Sequence, residues 1–305
     1  MSRYLDQAAV HALVGALFVE LLARAWGERD PAQRMRLRLV ALVAALVAGP
    51  ALDAMAPLRR EEPFAEQWAL LVGRRWAAVD VAGVSLRSLF LGALAAAGGA
   101  LFLRDLLPFL RRVLRARPAL AAPDPRLRSM TDELGGGAVQ VVVLERPAPV
   151  MLASGVWRPR IAVSRGTLEL LDEGELRAAL EHELGHVKRR DAAWSWALFA
   201  ARVAQAWNPA VQLLARAVAR DVERRADDRA HDRVALASAI VKLHRSAGGG
   251  AEPLWGPFLA RARAAAVADR CRRLLDGPPP AADPFAWVRL LAATAALAGL
   301  LFLVV

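Results

Sequence analysis

Cysteine is almost absent from this sequence, and Cys271 stands alone. A single thiol forms no intrachain disulfide and builds no cysteine-type zinc cluster, so any metal must rest on histidine and carboxylate ligands. Lysine is nearly as scarce, with only Lys188 and Lys242, so the net charge of +11 is carried by arginine. Tyr4 is the one tyrosine and sits at the far end of the chain. Histidine occurs five times, as His11, His182, His186, His231 and His244. Few residues can therefore do metal or proton chemistry, and their spacing carries most of the information.

What the chain has in abundance is apolar surface, with 56% of its 305 residues hydrophobic. That exceeds the usual share for a soluble domain and directs the search to membrane spans. Four runs qualify, at about residues 8–23, 39–55, 88–103 and 287–305, each approaching the roughly 20 apolar residues that cross a hydrocarbon core. The first contains His11 and Glu20, which are expected to face other helices rather than lipid. No small-residue cleavage site follows this run, so it reads as a retained span and not a removed signal peptide.

A basic balance could serve nucleic acid, anionic lipid or membrane topology. Here the arginines flank the apolar runs. Arg24, Arg29, Arg34, Arg36 and Arg38 follow the first run, and Arg104, Arg111, Arg112, Arg115 and Arg117 follow the third. Both groups are expected on the cytoplasmic side. Arg59, Arg60, Arg74 and Arg75 lie in the loop between the second and third runs, offset by Glu61, Glu62 and Glu66. The expected orientation puts the N-terminus outside and the large polar region in the cytoplasm. No nucleic-acid-binding module is recognisable, so nucleic acid is not an expected partner.

The polar region runs from about Ala122 to Asp283, after the linker around Pro123 and Pro125. Val139–Leu144, Val150–Ser154 and Pro159–Ser164 read as short strands separated by Pro147 and Pro149. Asp172 and Glu175 form the pattern of a capping box and predict a helix to about Arg190. A second helix is expected over Asp191–Ala206, rich in tryptophan and able to touch or enter the membrane surface. Asn208-Pro209 interrupts it, and a third helix is expected to about Leu236. Gly248–Gly250 and Gly277–Pro280 read as hinges. No internal repeat is present.

His182-Glu183-Leu184-Gly185-His186 lies within the capped helix. Histidines four apart share a helix face, so both imidazoles can reach one ion, and Glu183 projects close by, where it can act as general base. The plain alternative is an amphipathic helix with two solvated histidines. A third ligand is needed, and Glu223 and Asp227 share a face one turn apart further along. Glu223 could ligate while Asp227 fixes a histidine tautomer, although this arginine-rich stretch also reads as a solvated charge run. His231, two turns beyond Glu223, could stabilise an oxyanion, serve as an alternative ligand or be a surface histidine. His11 and His244 read as structural. Pro159–Ser164 could be an exposed sheet edge that holds an extended peptide, or an interior strand.

Residues 182–191, ending Lys188-Arg189-Arg190-Asp191, resemble the His-Glu-Leu-x-His-x-x-Arg-x-Asp signature of the BlaR/MecR-type membrane metallopeptidases. Asn208-Pro209 followed by Glu223 and Asp227 is similar to that family's second motif, and the run from Gly155 to Leu171 resembles the stretch before its zinc helix. The likeness covers about residues 140–275. The related HtpX and CAAX-type proteases share the zinc helix and the Glu-x-x-x-Asp element. The resemblance implies a zincin-like fold, Glu223 as the third ligand and a cytoplasmic catalytic domain. Asp228 departs from the HtpX-like pattern, where an arginine is usual. Family receptors carry a penicillin-binding sensor beyond the last span, and the sequence ends at Val305, so direct β-lactam sensing is not expected.

The expected architecture is an α+β membrane protein: four transmembrane helices with a mostly helical, zincin-like catalytic domain carrying a small antiparallel sheet. Residues 1–121 form a three-span region, 122–283 the metallopeptidase domain and 284–305 a C-terminal transmembrane helix. The expected activity is zinc-dependent cleavage of a cytoplasmic or juxtamembrane protein, a repressor or the chain itself, in regulatory signalling. By the resemblance, Zn2+ is expected on His182, His186 and Glu223, with Glu183 as the catalytic base and Asp227 behind the ligands. The alternative is a signal transducer or scaffold whose zinc domain is structural or inactive. A protein substrate and the lipid bilayer are the expected partners, with a homo-oligomer or a separate sensor protein left open.

Overall fold

The computed structural model describes residues 2–57, 79–114, 119–247, 256–277 and 283–304. The charged residues of the second loop from Arg59 to Arg75, together with Arg115, Arg117, Gly248–Gly250 and Pro278–Pro280, lie outside the described residues. Packing sorts the chain into two compact units. One comprises Met1–Arg115, Ala197–Asp221 and Pro280–Val305, the other Ala116–Trp196 and Val222–Pro279.

In the first unit, α1 (Ser2–Ala25), α2 (Pro31–Met55), α3 (Leu86–Leu114) and α11 (Ala286–Leu303) are the helices long and apolar enough to cross a membrane. A two-strand hairpin, β1 (Asp80–Val81) with β2 (Val84–Ser85), precedes α3. The buried seam of the unit is built mainly from small and branched residues. Ala12, Val19, Leu37, Ala41, Ala45, Leu297 and Leu301 pack together, and such side chains let helix backbones approach closely. Leu13, Leu17 and Leu21 lie on an exposed stripe of α1, as a lipid-facing surface requires. His11 is fully buried, and Glu20 accepts hydrogen bonds from Arg38 Nε at 2.6 Å and Nη2 at 3.1 Å. Arg38, expected in the basic loop, is instead a buried residue of α2, and its other terminal nitrogen pairs with Asp221. A buried arginine is tolerable at such a position because carboxylates meet it on two sides.

Residues 197–221 belong to this same unit. They come from α7 (Asp191–Ala204) and α8 (Pro209–Asp227), on either side of a break at Asn208-Pro209. Side-chain amides at the break bind its own backbone and carbonyls of neighbouring helices. Asn208 Nδ2 donates to Ala8 O at 3.1 Å, Gln205 Nε2 to Ala45 O at 2.8 Å, and Asn208 Oδ1 accepts from Ala210 N at 3.1 Å. Irregular backbone among apolar helices requires such partners. Arg202 and Arg216 both donate to Asp105 of α3. The approach is close at Gly98, where an added Cβ would lie 2.2 Å from the Trp207 carbonyl. The tryptophan-rich stretch thus runs, from Ala197 onward, into the unit that holds the candidate spans.

The second unit carries a three-stranded sheet of β3 (Gln140–Leu144), β4 (Met151–Ser154) and β5 (Arg160–Ser164) in the order β3-β5-β4. The small sheet stands as expected, with one correction to its pairing. β4 and β5 are antiparallel, whereas β3 and β5 are parallel, with Val142 opposite Ala162. Pro147 and Pro149 take the chain away after β3, so it returns through β4 to place β5 between the two. The strand expected at Pro159–Ser164 is therefore interior, and β4 is an edge. Ile161 and Val163 of β5 are fully buried against Leu180 and Leu184.

Two short helices were not foreseen: α4 (Pro125–Glu133), capped by Asp124 in what read as a linker, and α5 (Arg165–Leu170), capped by Ser164. The capping box is present at α6 (Glu173–Lys188). Glu175 N donates to Asp172 Oδ1 at 2.9 Å, and Asp172 N donates to Glu175 Oε2 at 3.0 Å. The third predicted helix does not reach Leu236 unbroken. α8 ends at Asp227, and Asp232 accepts from Ala235 N at 2.8 Å to start α9 (Arg233–Ala247). An aspartate free to cap a new helix competes with continuing the old one. α10 (Gly256–Leu275), also unforeseen, packs on α9.

Substituting Gly98→Ala tests the close passage of the Trp207–Asn208 backbone against α3. Helix propensity favours alanine at both Gly98 and Gly99 by about 1 kcal/mol. Overpacking at Gly98 should cost about 1–3 kcal/mol and lower the thermal midpoint in detergent. Gly99→Ala meets nothing within 4 Å and should not lower it. An equal or higher midpoint for Gly98→Ala would contradict this packing.

Candidate metal centre

His182 and His186 are one turn apart on α6, whose start is set by the Asp172–Glu175 box and whose other face is buried through Leu176, Leu180 and Leu184. Glu175 also accepts from Ser238 Oγ at 2.5 Å and Lys242 Nζ at 2.6 Å, which ties α6 to α9. The two rings stand edge to face with their Nε2 atoms 3.1 Å apart. Glu223 closes a triangle, with Oε2 at 3.6 Å from His182 Nε2 and Oε1 at 3.7 Å from His186 Nε2.

These separations test whether zinc fits. Tetrahedral zinc with ligand bonds of about 2.0–2.1 Å places neighbouring donors about 3.3 Å apart. The two nitrogens and the nearest carboxylate oxygen to each lie close to that value, one donor atom from each residue falls within 4.8 Å of the others, and two imidazoles with one carboxylate form a donor set typical of catalytic zinc sites that keep a position open.

Each ring is held from behind. His186 Nδ1 donates to Asp191 Oδ2 at 2.7 Å, and that oxygen also accepts from Arg189 Nε and Nη2. His182 Nδ1 faces Asp227 Oδ1 at 3.2 Å. Both contacts favour a proton on Nδ1 and leave Nε2 as the free donor. Asp227 is buried and takes both prongs of Arg270, at 2.7 and 2.8 Å.

Charge follows this geometry. Burial alone would lower the His182 pKa, but Asp227 and Glu223 outweigh it and raise the ring to about 9. Burial would raise Glu223, yet His182 and Arg270 together hold it below the ordinary carboxylate value. Asp227 is lowered in the same way against its own burial, chiefly by Arg270 and His182. Asp191 is lowered against burial by His186 and Arg189.

Glu183 lies beside the triangle and not in it. Its Oε2 accepts a hydrogen bond from Ala153 N of β4 at 2.6 Å. Edge strand, helix and ligand triangle line one cleft of about 1000 Å³. His231 is exposed, its backbone N–H donates to Glu181, and it does not line that cleft. His244, read as structural, does line it. The centre thus gathers His182, Glu183, His186, Glu223 and Asp227, and leaves His231 outside. Asp191 enters the sequence pattern only as the last residue of the 182–191 signature, and its place five residues after His186 is the local signal for its contact with that ring. Arg270 had no local signal, being 43 residues past Asp227.

The sign of the pH dependence follows. His182 has a folded pKa near 9 against 6.5 for the free group, so its stabilisation is full below about pH 6.5 and lost as pH rises through 9. The lowered carboxylates stabilise above about pH 4.5, and that contribution is lost as pH falls. Metal-free protein should therefore show its highest thermal midpoint between about pH 4.5 and 6.5, with a decline toward pH 9 that His182→Gln removes. A midpoint that stays flat from pH 6.5 to 9 in the chelated parent would contradict the pairing of His182.

The BlaR1 peptidase M56 family pattern matches residues 77–263, more than half of the chain. Similar proteins include a Protease HtpX homolog of Methanothermobacter thermautotrophicus, 43% identical over 76 residues, which are 23% of this chain and 30% of that protein. Those of Kineococcus radiotolerans and Aquifex aeolicus are 41% identical over 86 residues (26% of this chain, 29% of the relative) and 37% over 73 (22% and 24%). The chain thus spans less than a third of the length of these curated relatives. With four candidate spans and a two-histidine, one-glutamate cluster in one polypeptide, the chain belongs to the BlaR1 peptidase M56 family of membrane zinc metallopeptidases.

Proposed function

We propose that this chain is a zinc-dependent endopeptidase of the cytoplasmic membrane that hydrolyses a peptide bond of a cytoplasmic or juxtamembrane protein. The observation that carries this reading is the convergence of His182 Nε2 and His186 Nε2, 3.1 Å apart, on the Glu223 carboxylate, whose Oε2 lies 3.6 Å from the first and whose Oε1 lies 3.7 Å from the second. These three residues would hold the zinc. When bound, the metal supplies Lewis acidity toward the scissile carbonyl and a water molecule. Glu183 accepts the proton of the attacking water on a carboxylate oxygen and passes it to the leaving amide nitrogen. Asp191 and Asp227 hold the two imidazoles in the tautomer that presents Nε2.

Substrate position follows from the sheet order. β5 is paired on both sides, so β4 is the edge that can accept an extended peptide by main-chain hydrogen bonds, and β4 lines the cleft. The hydrogen bond from Ala153 N to Glu183 sets the base against that same edge. Leu236, Ile240 and Leu243 of α9 give the cleft an apolar wall, which favours an apolar side chain next to the cleaved bond. The arginines around the first and third apolar runs support a cytoplasmic catalytic unit. The regulatory role, with a repressor or the chain itself as the target, rests on the family resemblance.

Glu183→Gln should retain stoichiometric zinc in the purified full-length protein and lower cleavage by about 10²–10⁴-fold. Zinc content is read by elemental analysis. Cleavage is read by comparing new protein N-termini in cells producing the parent or the variant, with self-cleavage followed in the purified protein. Equal cleavage by the two proteins would remove Glu183 as the base. Zinc without cleavage of any protein by the parent would favour an inactive, structural zinc domain.

A further inference from the structure

The two histidines of the centre are backed in the same manner, though the backing comes from different distances in sequence. Behind His186 stand Asp191 and then Arg189, within five residues of the ring. Behind His182 stand Asp227 from α8 and then Arg270 from α10. Arg270 Nε donates to Asp227 Oδ2 at 2.8 Å and Nη2 to Oδ1 at 2.7 Å. The remaining terminal nitrogen, Nη1, lies 3.2 Å from Glu223 Oε2. One guanidinium thus touches the carboxylate behind His182 and the carboxylate of the triangle itself.

We propose that Arg270 is a positioning residue of the metal centre, fixing Asp227 behind His182 and holding Glu223 through Oε2, with Nη2 also 3.5 Å from His182 Nε2. The inference rests on the reading of His182, His186 and Glu223 as metal ligands, and deepens it. Asp227 is 1% exposed, and a carboxylate buried that deeply keeps one orientation only when its donors are fixed. A guanidinium presents parallel N–H groups that grip both oxygens at once, which an ammonium cannot do.

The docking of α10 does not depend on this pair. Arg224 pairs with Asp269 at 2.6 Å and Arg273 with Asp228 at 2.8 Å, one on each side of Arg270. Arg233 donates to the carbonyls of Arg273 and Leu274 at the end of α10, and Leu274 is buried among Ala178 and Leu236. Asp228, the residue that departs from the HtpX-like pattern, thus belongs to the docking of α10. The neighbouring pairs attach the helix, and Arg270 is the one of this set whose fork reaches the centre.

The experiment is a zinc titration of the detergent-purified full chain against a competing chelator, with thermal midpoints measured alongside. Arg270→Met keeps the length of the side chain without its charge and should weaken zinc binding by about 10–100-fold. Arg270→Lys should recover part of the loss. Arg224→Met, which breaks a neighbouring pair, should leave zinc affinity as in the parent. Asp227→Asn should also bind zinc more weakly, and the double variant Arg270→Met/Asp227→Asn should lose less than the product of the two single effects, because one residue acts through the other. Parent-like affinity in Arg270→Met, an equal loss in Arg224→Met, or fully multiplicative losses would each overturn the assignment. Full zinc affinity in Glu223→Ala would instead overturn the ligand assignment, and the role of Arg270 with it.

Discussion

Two imidazole nitrogens 3.1 Å apart, met by a carboxylate at similar range, are the constraint around which the second unit is arranged. Donors this close, partly withdrawn from water, repel unless something positive stands among them. The Arg270 guanidinium, 3.2 Å from Glu223, supplies part of that charge, and Asp227 with Glu223 favours the protonated form of the His182 ring. A metal ion held by the same ring would compete with that proton. The carboxylates behind the rings serve both states, since each fixes Nδ1 and leaves Nε2 directed into the triangle.

That constraint explains the investment in holding α6. Its capping box sets where the helix begins and therefore which residues come round to the cleft. Glu175 then acts a second time, binding Ser238 and Lys242 of α9, so the residue that caps the helix also anchors it. β5 lies under the opposite face with Ile161 and Val163 fully buried. The centre is thus carried on an element fixed at its start, along its buried face and, through Arg189 and Asp191, at its end.

α8 meets two different demands along its length. Up to Asp221 it packs in the unit of the candidate spans, where Asp221 meets Arg38, and from Val222 it carries Glu223 and Asp227. The Asn208-Pro209 break at its start is compatible with apolar surroundings because Asn208 and Gln212 bind backbone groups at the break, while Asn208 and Gln205 tie it to carbonyls of α1 and α2. Such polar side chains look misplaced in a hydrophobic sequence until the carbonyls they serve are seen.

The sequence by itself determined whatever depends on neighbours within about four residues or on long apolar runs. The spans, the capping box, the shared face of His182 and His186, and that of Glu223 and Asp227 are set by local periodicity and hydrogen bonding. Tertiary structure alone decided the placement of β5 between its partners, the exclusion of His231 and the arrival of Arg270. Those outcomes turn on which surfaces bury against one another and which buried charges find partners. Both are settled between residues far apart in the chain, where spacing along the sequence carries no signal.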